Sequence, residues 1–364
     1  MDRIKYIINI LIVALLFGAI AINKDGKLLG SPVTELVSSM DNSTAIETPI
    51  ETILADGTRV INSTSIAKDI QGFGGRTPIK LYINDDIITK VEYLDNSESP
   101  SFFQQLIDGK LFNRWDNLPL TDVSTTQVDI ISGATYTSQS IIDNVQRAAA
   151  YASNIEQAKT SNPFTNLPLK TIIGIIVILT GVAITLVKPK NKIFETIQLA
   201  LNVVVLGFWC GSFLSLTQFV SWMSNGFNLS VALLAILLLV VVIIMPLLGR
   251  KGTYCSIHCP MGSLQILLNK IPTPKIKFSN QANQILNKLR TYILLTLLLL
   301  MWIGFGFDLM NYEIFPAFLI SSASTAVLIM AAIFILLSLF TPRPYCRFVC
   351  PTGAILTIMQ KTKE

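Results

Sequence analysis

Six long apolar runs constrain the fold of this chain more than any other feature. A helix needs about 20 apolar residues to cross the roughly 30 Å hydrocarbon core of a bilayer. Hydrophobic residues make up 51% of the chain and charged residues only 14%, against about 25% charged residues in a soluble protein. The sequence therefore predicts a multi-pass α-helical membrane protein with six spans: Tyr6–Ile22, Thr171–Val187, Gln198–Trp222, Leu229–Leu248, Thr291–Phe307 and Ala317–Phe340.

Basic residues beside these runs predict which side each loop faces. Lysine and arginine are concentrated near both termini and in the loops after the second, fourth and sixth runs, whereas residues 221–228 and 308–316 contain neither. Cytoplasmic loops carry such an excess of basic residues. Six alternating crossings then place both termini in the cytoplasm and residues 24–168 outside. The net charge of +5 follows from this distribution and does not indicate nucleic-acid binding.

The same reasoning divides the chain into three domains. Residues 1–23 form an N-terminal membrane anchor, residues 24–168 an extracytoplasmic domain that holds most of the acidic residues, and residues 169–364 a five-span membrane domain. The sequence A-I-A at 19–21, after a basic start, also fits a signal-peptide cleavage site. We favour the uncleaved anchor, and either reading exports the domain that follows.

Two matching cysteine motifs follow the fourth and sixth spans. They read Y-C-S-I-H-C-P-M-G from Tyr254 and Y-C-R-F-V-C-P-T-G from Tyr345, with five identical positions at an offset of 91 residues. Upstream, W-C-G at 209–211 resembles W-I-G at 302–304. The pattern predicts an internal repeat of two spans and a C-x-x-x-C-P loop. Both copies run in the same direction, so an axis along the membrane normal relates them.

That axis would bring four thiols together on the cytoplasmic face: Cys255, Cys259, Cys346 and Cys350. Cytoplasmic thiols are kept reduced, so structural disulfides are not expected there. Four thiolates suit an iron–sulfur cluster or a zinc ion. We favour one shared cluster of the 4Fe-4S type. Zinc, a thiol relay and an empty site stay open as alternatives.

The fifth cysteine and the single histidine lack counterparts in the repeat. Cys210 aligns with Ile303, and a free cysteine in a span packs as a small hydrophobe. His258 aligns with Val349, and four thiolates already complete a ligand set, so we favour a structural role over ligation. One histidine also excludes a membrane haem held by two histidines of this chain.

The exported region carries a hairpin pattern and a candidate anion site. Alternating apolar residues at 79–83 and 88–93 flank the turn N-D-D at 84–86, after a glycine-rich G-F-G-G. Further on, V-D-I-I-S-G-A-T-Y-T-S at 128–138 predicts an extended segment entering a helix, whose apolar face is Ile141, Ile142, Val145, Ala148 and Ala149. A helix N-terminus favours a phosphate. The alternative is an ordinary turn capped by a serine or threonine.

D-I-I-S-G-A-T resembles the D-x-x-[ST]-G-A-[TS] signature of FMN-binding domains, and the resemblance covers roughly residues 45–155. Such α+β domains occur in the sodium-pumping quinone reductase, the Rnf complex and nitrous-oxide-reductase accessory proteins. The resemblance implies that a separate exported flavin transferase esterifies the FMN phosphate to Thr135, with Asp129, Ser132, Gly133 and Ala134 completing the motif. S-E-S-P at 97–100 resembles that domain's E-T-P-G loop but departs from it at two positions.

The whole plan resembles the nitrous-oxide-reductase accessory and reductive-dehalogenase-associated membrane flavoproteins. The resemblance implies an electron-transfer flavoprotein of the bacterial cytoplasmic membrane, in which an iron–sulfur cluster receives electrons from a cytoplasmic or quinone-linked donor and FMN delivers them to an extracytoplasmic acceptor. No catalytic residue is assigned. A thiol–disulfide relay and a redox sensor or maturation factor are the alternatives. Because the bilayer core is roughly 30 Å thick, we also expect an intermediate carrier or a moving flavin domain.

Overall fold

The computed structural model describes residues 2–29, 31–33, 49–96, 98, 100–126, 128–131, 134–153, 169–187, 192–227, 229–276, 279–303, 313–318 and 323–360. It comprises two units, which are described separately. One contains residues 25–165 and 224–231, and the other contains residues 1–24, 166–223 and 232–364. The predicted limit at residue 168 lies outside the described residues, so the domain boundaries stay predictions.

The chain begins with helix α1 (Asp2–Asp25) and a two-stranded ribbon, β1 (Lys27–Leu28) and β2 (Ser31–Pro32). A five-stranded antiparallel sheet then follows in the order β3-β4-β5-β6-β7. The strands are β3 (Glu51–Ile53), β4 (Arg59–Asn62), β5 (Ile79–Asn84), β6 (Ile87–Tyr93) and β7 (Leu118–Pro119). The helices of this unit are α2 (Ser63–Ile66) between β4 and β5, α3 (Pro100–Asp108) between β6 and β7, and α4 (Thr135–Ala152) after β7. Two 3₁₀ turns, Leu111–Trp115 and Leu120–Asp122, connect α3, β7 and α4.

The predicted hairpin is confirmed as the pair β5–β6. Asp85 and Asp86 form the two-residue turn with φ angles of 49° and 59°, which matches the twist that hairpins require. The alternating residues of β5 are buried against α4, whose predicted apolar face is also buried. The region before α4 is irregular rather than a strand over the described residues 128–131.

The second unit is helical. After α1 it contains α5 (Leu169–Val187), α6 (Lys192–Leu201), a π-helix (Asn202–Trp209), α7 (Leu216–Asn225), α8 (Leu229–Leu247), a π-helical turn (Tyr254–His258), α9 (Pro260–Asn269), α10 (Asn280–Trp302), a 3₁₀ turn (Phe315–Phe318), α11 (Thr325–Phe340), α12 (Pro344–Phe348) and α13 (Pro351–Gln360). Its helices are apolar on most sides, as expected of a protein that lies in lipid.

Small residues on α5 show how these helices pack. Gly174, Val177, Ile178, Gly181 and Thr185 are buried and recur at three- and four-residue intervals, so they lie on one face. Glycines on such a face let neighbouring backbones approach closely, which is how membrane helices gain packing energy. Large apolar residues on the other side of the helix stay exposed on this unit, where lipid would cover them.

Four helices among the described residues are long and apolar enough to cross a bilayer: Ile4–Lys24, Leu169–Val187, Lys192–Trp209 and Gln284–Trp302. Two shorter apolar helices, Ala232–Leu247 and Thr325–Phe340, occupy the predicted fourth and sixth spans. The chain is thus a membrane protein, whereas its six-span topology stays a prediction.

The predicted third span, Gln198–Trp222, is wrong as a single helix. The helical path ends at Trp209, and Gly211 adopts a left-handed φ of 58°. Residues 211–215 are not helical, and α7 begins only at Leu216. Gly211 lacks the Cβ that disfavours this conformation, and Ser212 and Ser215 interrupt the apolar run. The break lets residues 211–215 turn into the helical unit.

Candidate metal centre and flavin site

The two cysteine motifs share one backbone hydrogen bond and the helix that follows, although the first forms a π-helical turn and the second an α-helix. In each copy the amide of the second cysteine donates to the carbonyl of the tyrosine, from Cys259 to Tyr254 at 2.8 Å and from Cys350 to Tyr345 at 2.9 Å. In each copy a proline then begins a ten-residue helix, α9 or α13. The predicted repeat is therefore confirmed at the level of local geometry.

The proline after each second cysteine places that thiol at a helix N-terminus. Proline is favoured at the first helical position because its missing N–H would have no partner there. The amide of Gly353 donates to the sulfur of Cys350 at 3.2 Å. Burial raises the pKa of the Cys259 thiol to about 12, and the amides of Gly262 and Met261 oppose that rise. Free amides and the positive end of the helix dipole both favour a thiolate.

The four thiols predicted as ligands belong to one packed core, with Cys255 at its edge. Burial is the largest effect and raises the pKa of each thiol. The thiols of Cys259, Cys350 and Cys255 raise the pKa of Cys346 further, so the two motifs lie within electrostatic range of each other. A bound metal displaces these protons, because a coordinating thiol is deprotonated outright.

The donor set of this quartet is four cysteines and no other residue type, which iron–sulfur clusters and structural zinc sites both use. Among the described residues, no group of three or more histidine, cysteine, aspartate or glutamate side chains is arranged to hold a metal ion. The quartet therefore fits a cluster or a zinc ion by its residue types.

Two arginines bring positive charge to the quartet, and the sequence did not single them out. Arg343 and Arg290 both lower the pKa of the Cys255 thiol, and Arg343 also lowers that of Cys346. Arg290, on α10, donates to the backbone carbonyl of Cys346 at 3.0 Å and to the hydroxyl of Thr357 at 2.9 Å. These guanidinium groups offset part of the negative charge of four thiolates.

A tyrosine and a glutamate connect the motifs to distant segments. The sequence predicted one of these segments, residues 211–216, inside the third span, and the other, around Glu313, in a loop on the opposite side of the membrane. The hydroxyl of Tyr254 accepts a hydrogen bond from the amide of Leu214 at 2.8 Å. Glu313 accepts from the amide of Leu216 at 3.0 Å and from the hydroxyl of Thr352 at 2.7 Å. It thereby joins the first repeat to the second. The equal position of Tyr254 and Tyr345 in the two repeats was the sequence signal for the tyrosine, whereas no sequence pattern indicated a role for Glu313.

Burial of Glu313 changes its acid–base chemistry. The side chain is 6% exposed, and this burial raises its pKa from 4.5 to about 7, although the bonds from Thr352 and Leu216 oppose the rise. A carboxylate that loses water prefers to keep its proton. Its partner Thr352 lies at the start of α13, two residues after Cys350 in the sequence, so the carboxyl group is close to the second motif.

The start of α9 packs inside the helical unit. Pro260 contacts Gly207 near the far end of the π-helix, and Lys270 at the other end of α9 donates to Thr196 at 2.5 Å. The first motif is therefore ~15 Å from Lys270, the rise of ten helical residues. The predicted position of the cysteines on the cytoplasmic face stays a prediction.

Cys210 and His258 both pack in the core of the helical unit. Cys210 is 7% exposed, and its thiol donates to the carbonyl of Lys170 at 3.3 Å, which confirms the core interpretation. His258 is fully buried, and its ring lies against Gly181 of α5. Burial lowers the pKa of the imidazole, although the carbonyls of Thr253 and Ile178 oppose this. Its packing against α5 supports the structural role.

The predicted flavin attachment residue begins a helix. Thr135 is the first residue of α4, after Ala134, which is 3% exposed. Asp129 is exposed, and its backbone carbonyl accepts a hydrogen bond from the Arg114 guanidinium. Ser132 and Gly133 lie outside the described residues. The first amides of a helix have no partner within it, so the start of α4 is suited to a phosphate.

A buried carboxylate that the sequence did not single out organises the surroundings of that helix start. Glu98 is 7% exposed and accepts from the amide of Gly74 and from the hydroxyl of Thr137, both at 2.9 Å. It thus ties the glycine-rich turn to the first turn of α4. A side chain at Gly72 would begin 2.2 Å from a Glu98 oxygen, which explains a glycine there. The S-E-S-P resemblance was the signal that pointed to this loop.

Comparisons with known proteins agree with this geometry. Residues 72–150 match the family model of the FMN-binding domain, and residues 231–279 and 323–363 match that of the 4Fe-4S binding domain. The chain carries an FMN-binding domain and a 4Fe-4S binding domain. The first match contains Glu98 and the start of α4, and the two segments of the second contain one C-x-x-x-C-P motif each.

Two curated relatives share parts of the chain. Regulatory protein NosR of Pseudomonas aeruginosa is 30% identical over 191 residues, covering 46% of this chain and 26% of NosR. Uncharacterized protein MJ0750 of Methanocaldococcus jannaschii is 31% identical over 135 residues, covering 35% of this chain and 56% of that protein. The chain thus spans about a quarter and just over half of their lengths. No solved structure matches it significantly.

Proposed function

We propose that this protein transfers electrons across the bacterial cytoplasmic membrane, between one 4Fe-4S cluster bound by Cys255, Cys259, Cys346 and Cys350 and an FMN esterified to Thr135. The observation that carries the proposal is that two sequence repeats supply four cysteines to one packed core, with Cys259, Cys346 and Cys350 buried and Cys255 half-buried. The match of the same segments to a 4Fe-4S binding domain supports it.

When bound, an iron–sulfur cluster passes single electrons and FMN passes one or two, so the pair can serve both kinds of partner. The protein's own contribution is placement and tuning. The amides at the start of α9 and α13 donate to thiolate sulfurs, and hydrogen bonds of this kind raise the potential of a cluster. Tyr254 fixes the first motif against residues 211–215, so that its thiols keep their position in either redox state.

The sidedness of the two cofactor sites sets the distance an electron must travel. We propose that residues 24–168 lie on the extracytoplasmic side, because the basic loops flank the opposite ends of the spans. The hydrocarbon core between the two sides is roughly 30 Å thick, so the proposal includes an intermediate carrier or a moving flavin domain.

The proposal requires three partners. A flavin transferase would attach FMN to Thr135, a cytoplasmic or quinone-linked donor would supply electrons, and an extracytoplasmic acceptor would receive them. A second candidate, a redox sensor that carries the same cofactors, is favoured by the similarity to a protein named for regulation. The two differ in whether electrons cross the membrane at a useful rate.

Electron flux across vesicles separates these functions. The full-length protein, produced with a flavin transferase, would be reconstituted into vesicles that enclose a reductant, with ferricyanide outside. We expect ferricyanide reduction that is lost in both Thr135→Val and Cys255→Ser and retained in Cys210→Ser. Cofactor-loaded protein without flux would contradict electron transfer and favour the sensor.

Attachment of the flavin is tested on its own. Flavin fluorescence that survives a denaturing gel should be present in the wild type and absent in Thr135→Val. Thr125→Val is the matched control, because this exposed threonine lies outside the motif and its hydroxyl donates to the carbonyl of Asp122 at 3.0 Å. Fluorescence that persists in Thr135→Val would mean that another residue carries the flavin.

A further inference from the structure

The segment at the end of α7 belongs to the unit that carries the predicted flavin site. Residues 224–231 cover the end of α7 and the start of α8, yet they form one unit with residues 25–165. α7 ends at Asn225, and Gly226 follows with a φ of 81°, the left-handed conformation in which glycine commonly ends a helix. Ser224 and Asn225 are 0% and 5% exposed. Polar groups buried this deeply need hydrogen-bond partners.

Asn225 finds its partners in the glycine-rich turn. Its side-chain amide donates to the carbonyl of Gly74 at 3.0 Å, and its backbone carbonyl accepts from the side-chain amide of Gln71 at 3.0 Å. A Cβ at Gly75 would lie 2.5 Å from Asn225 Nδ2. The turn therefore approaches Asn225 so closely that position 75 has no room for a side chain.

The same turn leads to the helix that carries the predicted attachment residue. The peptide groups of Gly74 are held on both sides, since its N–H donates to Glu98 at 2.9 Å while its carbonyl accepts from Asn225. Glu98 also accepts from the hydroxyl of Thr137, two residues after Thr135. Three hydrogen bonds thus run from Asn225 through Gly74 and Glu98 to the first turn of α4. Both ends of this chain are buried, where such bonds hold one geometry firmly.

We propose that residues 224–227 are the docking surface for the glycine-rich turn, with Asn225 as the positioning residue, and that this contact stays closed while electrons pass. The inference rests on the proposed function and decides between its two alternatives: the flavin-bearing unit stays in place, so an intermediate carrier covers the remaining distance. A unit that left this surface in every turnover would break both bonds of Asn225 each time. The distribution of lysine and arginine agrees with docking, because it predicts residues 221–228 and 24–168 on the same side.

A disulfide across the contact tests whether it stays closed. Gly75→Cys and Asn225→Cys would be combined in the full-length protein. A Cβ at Gly75 would lie 2.8 Å from Asn225 Cγ, so the two Cβ atoms are at most ~4.3 Å apart, one bond further. A disulfide spans such a distance. The asparagine amide that opposes a side chain at Gly75 is absent from this variant, and Asn225→Cys alone controls for damage by the oxidant.

Cofactor-loaded protein would be reconstituted with an enclosed reductant and external ferricyanide, oxidised mildly, and its cross-linked fraction measured by mass spectrometry of its peptides. We expect the bridge to form and the rate of ferricyanide reduction to be the same before and after the bridge is reduced. A rate that is low with the bridge and recovers on its reduction would overturn the inference, because the unit would then have to leave the surface. Failure of the proposed function looks different, since the wild type would show no flux at all.

A matched pair of glycines tests the contact without a cross-link. Gly75 and Gly57 have φ angles of 151° and 86°, so alanine strains the backbone at both. Only the Cβ at Gly75 would displace Asn225, because a Cβ at Gly57 meets no atom of the described residues within 4 Å. We expect Gly75→Ala to lower the flux and to speed amide hydrogen exchange in residues 71–77 about tenfold, the effect of losing one buried hydrogen bond. Gly57→Ala should match the wild type there. Equal exchange in the two variants, or a bridge that does not form in the double variant, would also overturn the inference.

Discussion

Gly262 and Gly353 occupy the same position in the two repeats but differ in their surroundings, which makes a matched pair of substitutions informative. A Cβ at Gly262 would lie 2.2 Å from the backbone carbonyl oxygen of Cys255. A Cβ at Gly353 would meet its nearest neighbour, the sulfur of Cys350, at 3.5 Å, which is an ordinary contact. Gly262→Ala should therefore damage the centre, and Gly353→Ala should be tolerated.

The size of the effect follows from these distances. Real Cβ contacts are essentially never shorter than 3.0 Å, so the Cys255 carbonyl must move by about 0.8 Å, whereas a functional site tolerates displacements of about 0.5 Å. Inserting a methyl group into a packed site typically costs about 1–3 kcal/mol. Gly353→Ala avoids this cost and gains up to about 1 kcal/mol of helix propensity.

The assay is iron and acid-labile sulfide per polypeptide, with thermal unfolding of the solubilised full-length protein as a second measurement. We expect Gly262→Ala to lose most of its iron and sulfide and to unfold at a lower temperature, whereas Gly353→Ala keeps wild-type amounts. Equal cluster content in the two variants would refute the reasoning, because the argument depends on the difference between the two contacts.

Three further substitutions test individual hydrogen bonds and one titration. Tyr254→Phe removes the acceptor for the buried Leu214 amide and should reduce stability by about 1–3 kcal/mol; an unchanged unfolding temperature would contradict this. The raised pKa of Glu313 means that the folded state holds a proton more tightly than the unfolded state, so stability should fall by up to about 3 kcal/mol as the pH rises from 4.5 to about 7. Glu313→Gln should remove that dependence, and a variant with the wild-type pH profile would assign it elsewhere. Glu98→Ala leaves the Thr137 hydroxyl and a backbone amide without their acceptor, so hydrogen exchange in residues 72–150 should accelerate and flavin attachment should decline; wild-type exchange would show that the carboxylate does not hold the turn.

Features with a short sequence period were predictable. The alternation of β5 and the apolar face of α4 follow directly from which side chains can be buried on a strand or helix, and both are confirmed. The cysteine repeat was also predictable, because both copies form the same backbone bond from the second cysteine to the tyrosine and the same proline-initiated helix. These features depend on residues close together in the sequence.

Features that depend on distant residues were not predictable. A hydropathy pattern treats Gln198–Trp222 as one apolar run, whereas the break at Gly211 becomes useful only because Tyr254 binds the loop that follows. The position of the first motif within the helical unit follows from the packing of α9 along α6 and the π-helix, which no local pattern encodes. Glu313 illustrates the same limit, since its two partners lie 97 and 39 residues away.

The central claim is that two sequence repeats share one iron–sulfur cluster, and one measurement tests it most directly. Protein purified without oxygen would be analysed for iron and acid-labile sulfide per polypeptide, with an EPR spectrum after reduction, for the wild type, Cys255→Ser, Cys346→Ser and the control Cys210→Ser. We expect matching amounts of iron and sulfide in the wild type and the control, and equal loss when either repeat loses one cysteine. Zinc in place of iron, redox-active thiols without metal, or a cluster that survives the loss of Cys346 would contradict the claim.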